Sequence, residues 1–255
     1  MSSRCITTCD ASALSPGVKP VGFAVLIAMA SICHASEPRE GVLARTVWPD
    51  HLWPVDYADD KQEKAYRAYI EKRLCPTTFD CGRFIEMPPF RKSEFSVSIY
   101  SVPTRIGDVT FRLTSIDAAD NLRDWTDAGR LPDRATKIRI QRIDAEIPPA
   151  TAVLLKDLWT KMLSGRQRPR KQKIESEVVY GDPTVGEFSI QLRSAKVLRG
   201  ETDLIPDLGK NTAAFVKIAE QLLEYCKAQP AKRAAILASI ERKAKDVLAR
   251  VKANG

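Results

Sequence analysis

Apolar residues recur at helical spacing in four stretches of this chain. The predicted helices cover residues 56–74, 149–164, 211–228 and the stretch from 230 onward. Pro149 and Gly165 stand at the start and just past the end of the second helix, where these residues favour helix boundaries. Asn211 is a residue type that caps helices and is predicted to begin the third, and Pro230 begins the fourth.

Between these helices, apolar and polar residues alternate with the period of a β-strand. The predicted strands cover residues 95–100, 109–114, 138–141, 178–180 and 188–192. Gly107 and Asp108 supply a turn between the first two strands, which predicts a hairpin. Residues 82–92 contain Pro88 and Pro89 and are predicted to be a connector.

The resulting element order, α-βββ-α-ββ-α-α, predicts an α+β fold. Hairpins mixed with helices favour a mainly antiparallel sheet of about five strands with helices packed on one face. Residues 36–92 are predicted to form an N-terminal extended segment, a helix and a disulfide loop. Residues 93–255 are predicted to form the α+β domain.

The N-terminal stretch resembles a signal peptide. Lys19 precedes an apolar run over residues 21–32, and Ala35 offers the small residue that a signal peptidase reads. The run is too short to span a bilayer, and no other stretch is longer, so the mature chain is predicted to have no transmembrane helix. Residues 1–35 are therefore predicted to be cleaved, which places the protein in the periplasm or outside the cell.

Composition excludes several classes of protein. The chain has 255 residues, is 44% hydrophobic and 28% charged, and carries a net charge of +8, which argues against a disordered chain. Removal of residues 1–35 leaves His51 as the only histidine, so zinc sites that need two histidines are excluded. The sequence has no phosphate-binding loop, no dinucleotide fingerprint and no nucleophile elbow, and it predicts no cofactor.

Cys75 and Cys81 flank a short, turn-rich loop. In an oxidising compartment this spacing predicts a disulfide, while a redox pair would favour a closer C-x-x-C spacing. Cys226 lies on the apolar face of the third helix and is predicted to be a core thiol.

Two charged clusters are candidate functional surfaces. Four aspartates are spaced three, four and three residues apart, so a helix would bring them to one face as a cation site or an acid/base pair: Asp117, Asp120, Asp124 and Asp127. Without such a role they would be a solvated helix face. A basic loop could contact an anionic polymer or an acidic protein partner, or could simply be solvated: Arg166, Arg168, Arg170, Lys171 and Lys173.

These observations favour an exported, non-catalytic binding protein. Its expected partner is an envelope protein or an anionic envelope polymer, and nucleic acid is not expected outside the cytoplasm. The alternative is a hydrolase that uses the Asp117–Asp127 carboxylates, with or without a divalent cation. The oligomeric state does not follow from the sequence.

Overall fold

A computed structural model describes residues 50, 52–55, 61–75, 78–89, 92–104, 108–123, 137–165, 184–193, 195–205 and 208–253. Several of the predictions above fall outside these residues. They are the signal peptide at 1–35, His51, Asp124, Asp127, the basic loop at 166–173 and the strand at 178–180.

The described residues contain four helices and six strands. The helices are α1 (Lys61–Leu74), α2 (Pro149–Ser164), α3 (Lys210–Lys227) and α4 (Pro230–Ala253). The strands are β1 (Gly82–Met87), β2 (Phe95–Pro103), β3 (Val109–Ala118), β4 (Ile140–Ile147), β5 (Val185–Gln191) and β6 (Val197–Asp203). All six strands form one antiparallel sheet in the order β4-β3-β2-β1-β5-β6, so the predicted α+β fold is confirmed.

Strand β1 lies in the middle of the sheet, where the sequence predicted a connector. Phe84 pairs with Val97 of β2 on one side and with Phe188 of β5 on the other. Both faces of β1 are buried, and Arg83 and Glu86 interrupt its apolar residues. A strand covered on both faces lacks the alternation that marks a half-exposed strand, which explains why the pattern did not predict it.

One face of the sheet, here called the three-helix face, packs against α2 and α3, and α4 packs on these two helices in the same core cluster. Its aromatic centre joins Phe84, Trp159, Phe188 and Phe215, with the Phe188 and Phe215 ring centroids 4.2 Å apart and those of Trp159 and Phe215 4.5 Å apart. Trp159 also donates a hydrogen bond from its indole Nε1 to the carbonyl of Arg83, 3.1 Å away. Burial of these large rings provides the main hydrophobic stabilisation of the fold.

Gly82 makes the close approach of Trp159 possible. The glycine has a φ of +134°, and a Cβ at this position would lie 2.8 Å from the indole ring. Only glycine combines this backbone conformation with the absence of a side chain. The start of β1 is therefore determined by the tryptophan of α2 that packs on it.

The opposite face, here called the α1 face, is covered by α1. Tyr66, Ile70 and Leu74 of α1 form a second, smaller cluster with residues that include Ile85 and Ile116 of the sheet. The expectation that helices pack on one face thus holds for α2 and α3, with α4 packed on them, whereas α1 packs on the other face. Helical periodicity identifies the apolar side of a helix but not which face of the sheet it covers.

A short N-terminal segment packs beside β6 and α3. Leu52 is fully buried, and Trp53 exchanges two backbone hydrogen bonds with Glu201, of 2.9 and 2.8 Å. The carboxylate of Asp50 accepts hydrogen bonds from the backbone amides of Asn211 and Thr212 at the start of α3. The capping role predicted for Asn211 is therefore wrong: Asp50 supplies the acceptor, and the Asn211 side chain accepts a hydrogen bond from Arg250.

Candidate functional site

Polar side chains cross the entire sheet on the α1 face. Strand pairing places one residue from each strand in a single row, from β4 to β6: Asp144, Thr114, Ser98, Arg83, Ser189 and Arg199. Asp144 at one end of the row is exposed and Arg199 at the other end is partly exposed, while the four residues between them are buried. The sheet therefore has one apolar face and one face with a polar stripe.

Arginines and glutamates of α1, β1, β5 and β6 form an ion-pair network at the β6 end of this stripe. Arg67 of α1 contacts Glu63, Glu187 and Glu201 at 2.6, 3.1 and 3.0 Å. Arg199 contacts Glu71 and Glu187 at 2.5 and 3.3 Å. The Glu187 side chain is only 2% exposed, so its charge depends on these arginines for compensation.

Arg83 is held in this network by contacts on several sides. Its Nε donates to Ser189 Oγ at 2.9 Å, and its Nη2 donates to Glu71 Oε1 at 3.0 Å. Its guanidinium also lies 4.0 Å from the centroid of the Phe79 ring. With a side chain 3% exposed, this guanidinium is fixed in place before any ligand arrives.

A cavity of about 470 Å³ opens beside this guanidinium. It lies at the C-terminal end of α1 and is here called the α1-end cavity. Its lining residues come from α1, the loop before β1, and the strands β1, β5 and β6: Glu71, Lys72, Cys75, Phe79, Arg83, Gln191, Val197 and Arg199. The volume falls in the range typical of small-molecule sites.

The pKa values of two carboxylates in the network are shifted in opposite directions. Burial opposes ionisation of Glu71, but hydrogen bonds and charge from Arg199 and Arg83 outweigh it and lower its pKa. Burial raises the pKa of Glu201, and the charge of Arg67 only partly offsets it. Glu71 therefore presents a carboxylate with a lowered pKa to the α1-end cavity, whereas the pKa of Glu201 is raised.

The cysteines do not form the disulfide that the sequence predicted. Cys75 and Cys81 are both free thiols. The turn between α1 and β1 directs them to opposite sides of the sheet: Cys75 packs against the α1 cluster, and Cys81 lies in the core of the three-helix face. Spacing in the sequence gives the loop length but not the direction of the two side chains, which a disulfide requires.

None of the three described thiols is activated as a nucleophile. Burial raises the pKa of Cys75 to about 11 and those of Cys81 and Cys226 to about 12. A thiol with such a pKa is protonated at neutral pH and reacts slowly. Cys226 is buried in the core, as predicted.

Only two members of the predicted aspartate cluster, Asp117 and Asp120, belong to the described residues, so the cation site as a whole stays a prediction. Asp117 belongs to β3, where a helix was predicted, and its carboxylate lies 2.8 Å from the Lys227 ammonium. Asp120 accepts a hydrogen bond from the backbone amide of Asn121. At Asp117, strand pairing with β2 and β4 overrides the local helical spacing. Within the described residues, no group of three or more histidine, cysteine or acidic side chains could hold a metal ion.

A second, more apolar cleft of about 740 Å³ lies on the three-helix face. Val109 and Phe111 of β3 line one side, and Val153 of α2 and Leu192 line the other. Val109 and Val153 are 49% and 59% exposed and are the large hydrophobic residues most accessible to solvent in the described chain. This surface is here called the valine cleft.

Charged residues surround the valine cleft. Lys156 of α2 and Arg193 of the β5–β6 turn line it, together with Asp80. The Asp80 carboxylate is occupied by hydrogen bonds from the Ser101 amide and hydroxyl, both of 2.8 Å, and lies 3.9 Å from the Lys156 ammonium. The cleft therefore combines an apolar floor with a net basic rim.

Sequence patterns indicated neither cavity. Arg83 was assigned to a connector, and Arg199 and Glu201 lie in a strand, β6, that was not predicted. Val109 lies in a predicted strand and Val153 in a predicted helix, and neither pattern marks these valines as a surface site. A sequence signal existed for the charged residues of the α1-end cavity: arginine and glutamate stand inside short apolar stretches. Once such a stretch is buried, each charge requires an oppositely charged partner.

Comparisons with protein-family models, with curated proteins and with solved structures find no match to this chain. Among the described helices, none has both the length and the apolar character needed to cross a bilayer.

Proposed function

We propose that this chain is an exported, non-catalytic binding protein of the cell envelope that captures a protein partner in the valine cleft. The observation that carries the proposal is that the two most exposed large hydrophobic residues, Val109 and Val153, line the same cleft. Isolated apolar residues on a surface need no explanation, whereas a shared concave surface is typical of an interaction site.

The chemistry of the cleft defines the partner. Apolar side chains of the partner would insert between Val109 and Val153, and an acidic side chain would pair with Lys156 or Arg193 on the rim. The net charge of +8 would also attract an acidic partner over longer distances. The occupant is thus an envelope protein segment that carries apolar and acidic residues.

Three further observations favour binding over catalysis. The described thiols have raised pKa values, Asp117 of the predicted cluster pairs with Lys227, and the carboxylates of the network pair with arginines. The basic residues at 166–173 remain a second predicted contact for the same acidic partner. Export itself rests on the signal-peptide pattern of residues 1–35.

The partner test uses a photo-crosslinking amino acid placed at Val153 in the full chain, in cells. We expect a crosslink to one envelope protein, through a segment that contains apolar and acidic residues. Ala235, an exposed residue of α4, receives the same crosslinker as a matched control. Equal crosslinking from both positions would refute the valine cleft as the binding site.

Charge variants then test the chemistry of recognition. With the crosslinker moved to Val109, Val153→Glu and Lys156→Glu should each abolish the crosslink, because they place negative charge where the partner is apolar or acidic. Ala235→Glu adds the same charge elsewhere and should leave the crosslink intact. Charge reversal at Arg168 and Arg170 should weaken the crosslink if the basic loop contributes to binding.

Export is tested separately by the intact mass of the cellular product. Cleavage after Ala35 predicts a chain that begins at Ser36 and is found in the periplasm or medium. A product that retains Met1 and stays in the cytoplasm would refute export and leave the cleft experiment unaffected.

A further inference from the structure

We propose that the α1-end cavity binds a small free molecule through an oxyanion, a carboxylate or a phosphate, held between Lys72, Arg83 and Arg199. This site goes beyond the proposed capture of a protein in the valine cleft, because the two cavities share only Gln191 among their lining residues. The inference rests on the charge, the geometry and the volume of the cavity.

The charges that line the cavity are unequal. Lys72, Arg83 and Arg199 line the cavity with the carboxylate of Glu71, and the buried Glu187 carboxylate also lies 3.3 Å from Arg199. Glu71 is already engaged by Arg83 and Arg199, at 3.0 and 2.5 Å. Lys72 is exposed and has no carboxylate within 4.0 Å among the described residues. Positive charge at the cavity mouth is thus left for a ligand to neutralise.

Arg83 presents a donor to this space in a fixed geometry. Its Nε and Nη2 are used by Ser189 and Glu71, but Nη1 has no acceptor among the described residues. The Phe79 ring on one side and the hydrogen bonds on the other prevent the guanidinium from turning away. A planar guanidinium that is already oriented binds a carboxylate or phosphate with little loss of entropy.

The remaining volume indicates a ligand larger than the oxyanion itself. A cavity of about 470 Å³ accommodates a small organic molecule. Phe79 and Val197 supply apolar surface beside the arginines, and Gln191 supplies an amide.

The test measures binding of inorganic phosphate and of acetate to the full chain, by calorimetry and by thermal unfolding. Chloride at equal ionic strength is the reference, because it controls for general screening. We expect at least one of the two oxyanions to bind saturably and to raise the unfolding midpoint, since a ligand selective for the native state stabilises it.

Lys72→Gln is the decisive variant, because Lys72 is exposed and its loss leaves the network intact. We expect binding to weaken about tenfold, the effect of losing one charge-assisted hydrogen bond. Lys61→Gln is the matched control: Lys61 is also exposed and lies on the same helix, about three turns from the cavity. It should bind like the unmodified chain.

Arg199→Gln provides a second variant, with thermal unfolding in chloride to confirm that it folds. It should weaken binding of the same oxyanion that Lys72→Gln affects. Absence of saturable binding of both probes would overturn the proposal, as would equal weakening by Lys72→Gln and Lys61→Gln. Val153→Glu should leave oxyanion binding unchanged, which separates this site from the valine cleft.

Discussion

The two faces of the sheet are stabilised in different ways. The three-helix face buries stacked aromatic rings around Phe188, whereas the α1 face buries an ion-pair network around Glu187, the neighbouring residue on the same strand. Residues 187 and 188 point to opposite faces because side chains alternate along a strand. One residue step thus separates an apolar core from a charged one.

The difference teaches how each face contributes to stability, since each face carries a candidate site. Apolar burial stabilises without regard to direction, whereas buried ion pairs barely recover the cost of removing both charges from water. The valine cleft of the three-helix face has an apolar lining, whereas the α1-end cavity is lined by charged side chains of the network. We therefore expect substitutions in the aromatic core of the three-helix face to cause large losses of stability. On the α1 face, we expect the loss to depend on whether a substitution leaves the oppositely charged residue unpaired.

The largest expected effect is on the three-helix face. Trp159→Ala should lower the free energy of unfolding by about 4 kcal/mol, because it leaves a cavity beside Phe188 and Phe215. Urea denaturation measures this change. Val153→Ala on the same helix removes an exposed side chain and should cost less than about 1 kcal/mol. Similar losses for the two variants would contradict the assignment of the core to this face.

The next effect is on the α1 face. Arg67→Met should lower the free energy of unfolding by about 3 kcal/mol, because it leaves Glu187 buried without one of its main partners. Adding Glu187→Leu should recover part of the loss, since an apolar pair needs no charge compensation. The exposed pair of Arg142 and Asp144 is the control, and Arg142→Met should cost less than about 1 kcal/mol. A double variant less stable than Arg67→Met would show that the network stabilises the fold outright.

The smallest effects concern pH and have opposite signs within the network. The pKa of Glu71 is lowered, so its contribution is present above its unfolded value of 4.5 and is lost as pH falls. The pKa of Glu201 is raised, so its contribution is present below 4.5 and is lost as pH rises. The stability of the unmodified chain relative to Glu71→Gln should therefore decrease on acidification, and relative to Glu201→Gln it should increase. Denaturation series at several pH values measure both differences, and the same sign for both would contradict the pKa assignments.

Several elements follow from local sequence alone. The second helix begins at Pro149 and ends at Ser164 as predicted, and the hairpin of β2 and β3 forms where alternation and a Gly-Asp turn indicated it. These elements are determined by neighbours within a few residues, because helix boundaries and turns depend on backbone conformations that individual residues favour. The buried state of Cys226 followed from the same periodicity.

The candidate sites required long-range contacts that spacing does not contain. Arg83 and Glu71 are twelve residues apart, but Arg67 and Glu187 are 120 apart and meet only because β5 pairs with β1 beneath α1. Val109 and Val153 meet only across β3 and α2. A sequence shows that a charge or a valine is present, not what lies opposite it.

The amino-acid order by itself determined the elements with strong local signals and the α+β class, because periodicity and turn residues act over a few positions. The tertiary structure alone decided that β1 is central, that Cys75 and Cys81 lie on opposite faces, and that arginines and glutamates converge on one cavity. The physical reason is that sheet pairing, and not residue spacing, sets which side chains share a face and can compensate each other's charge.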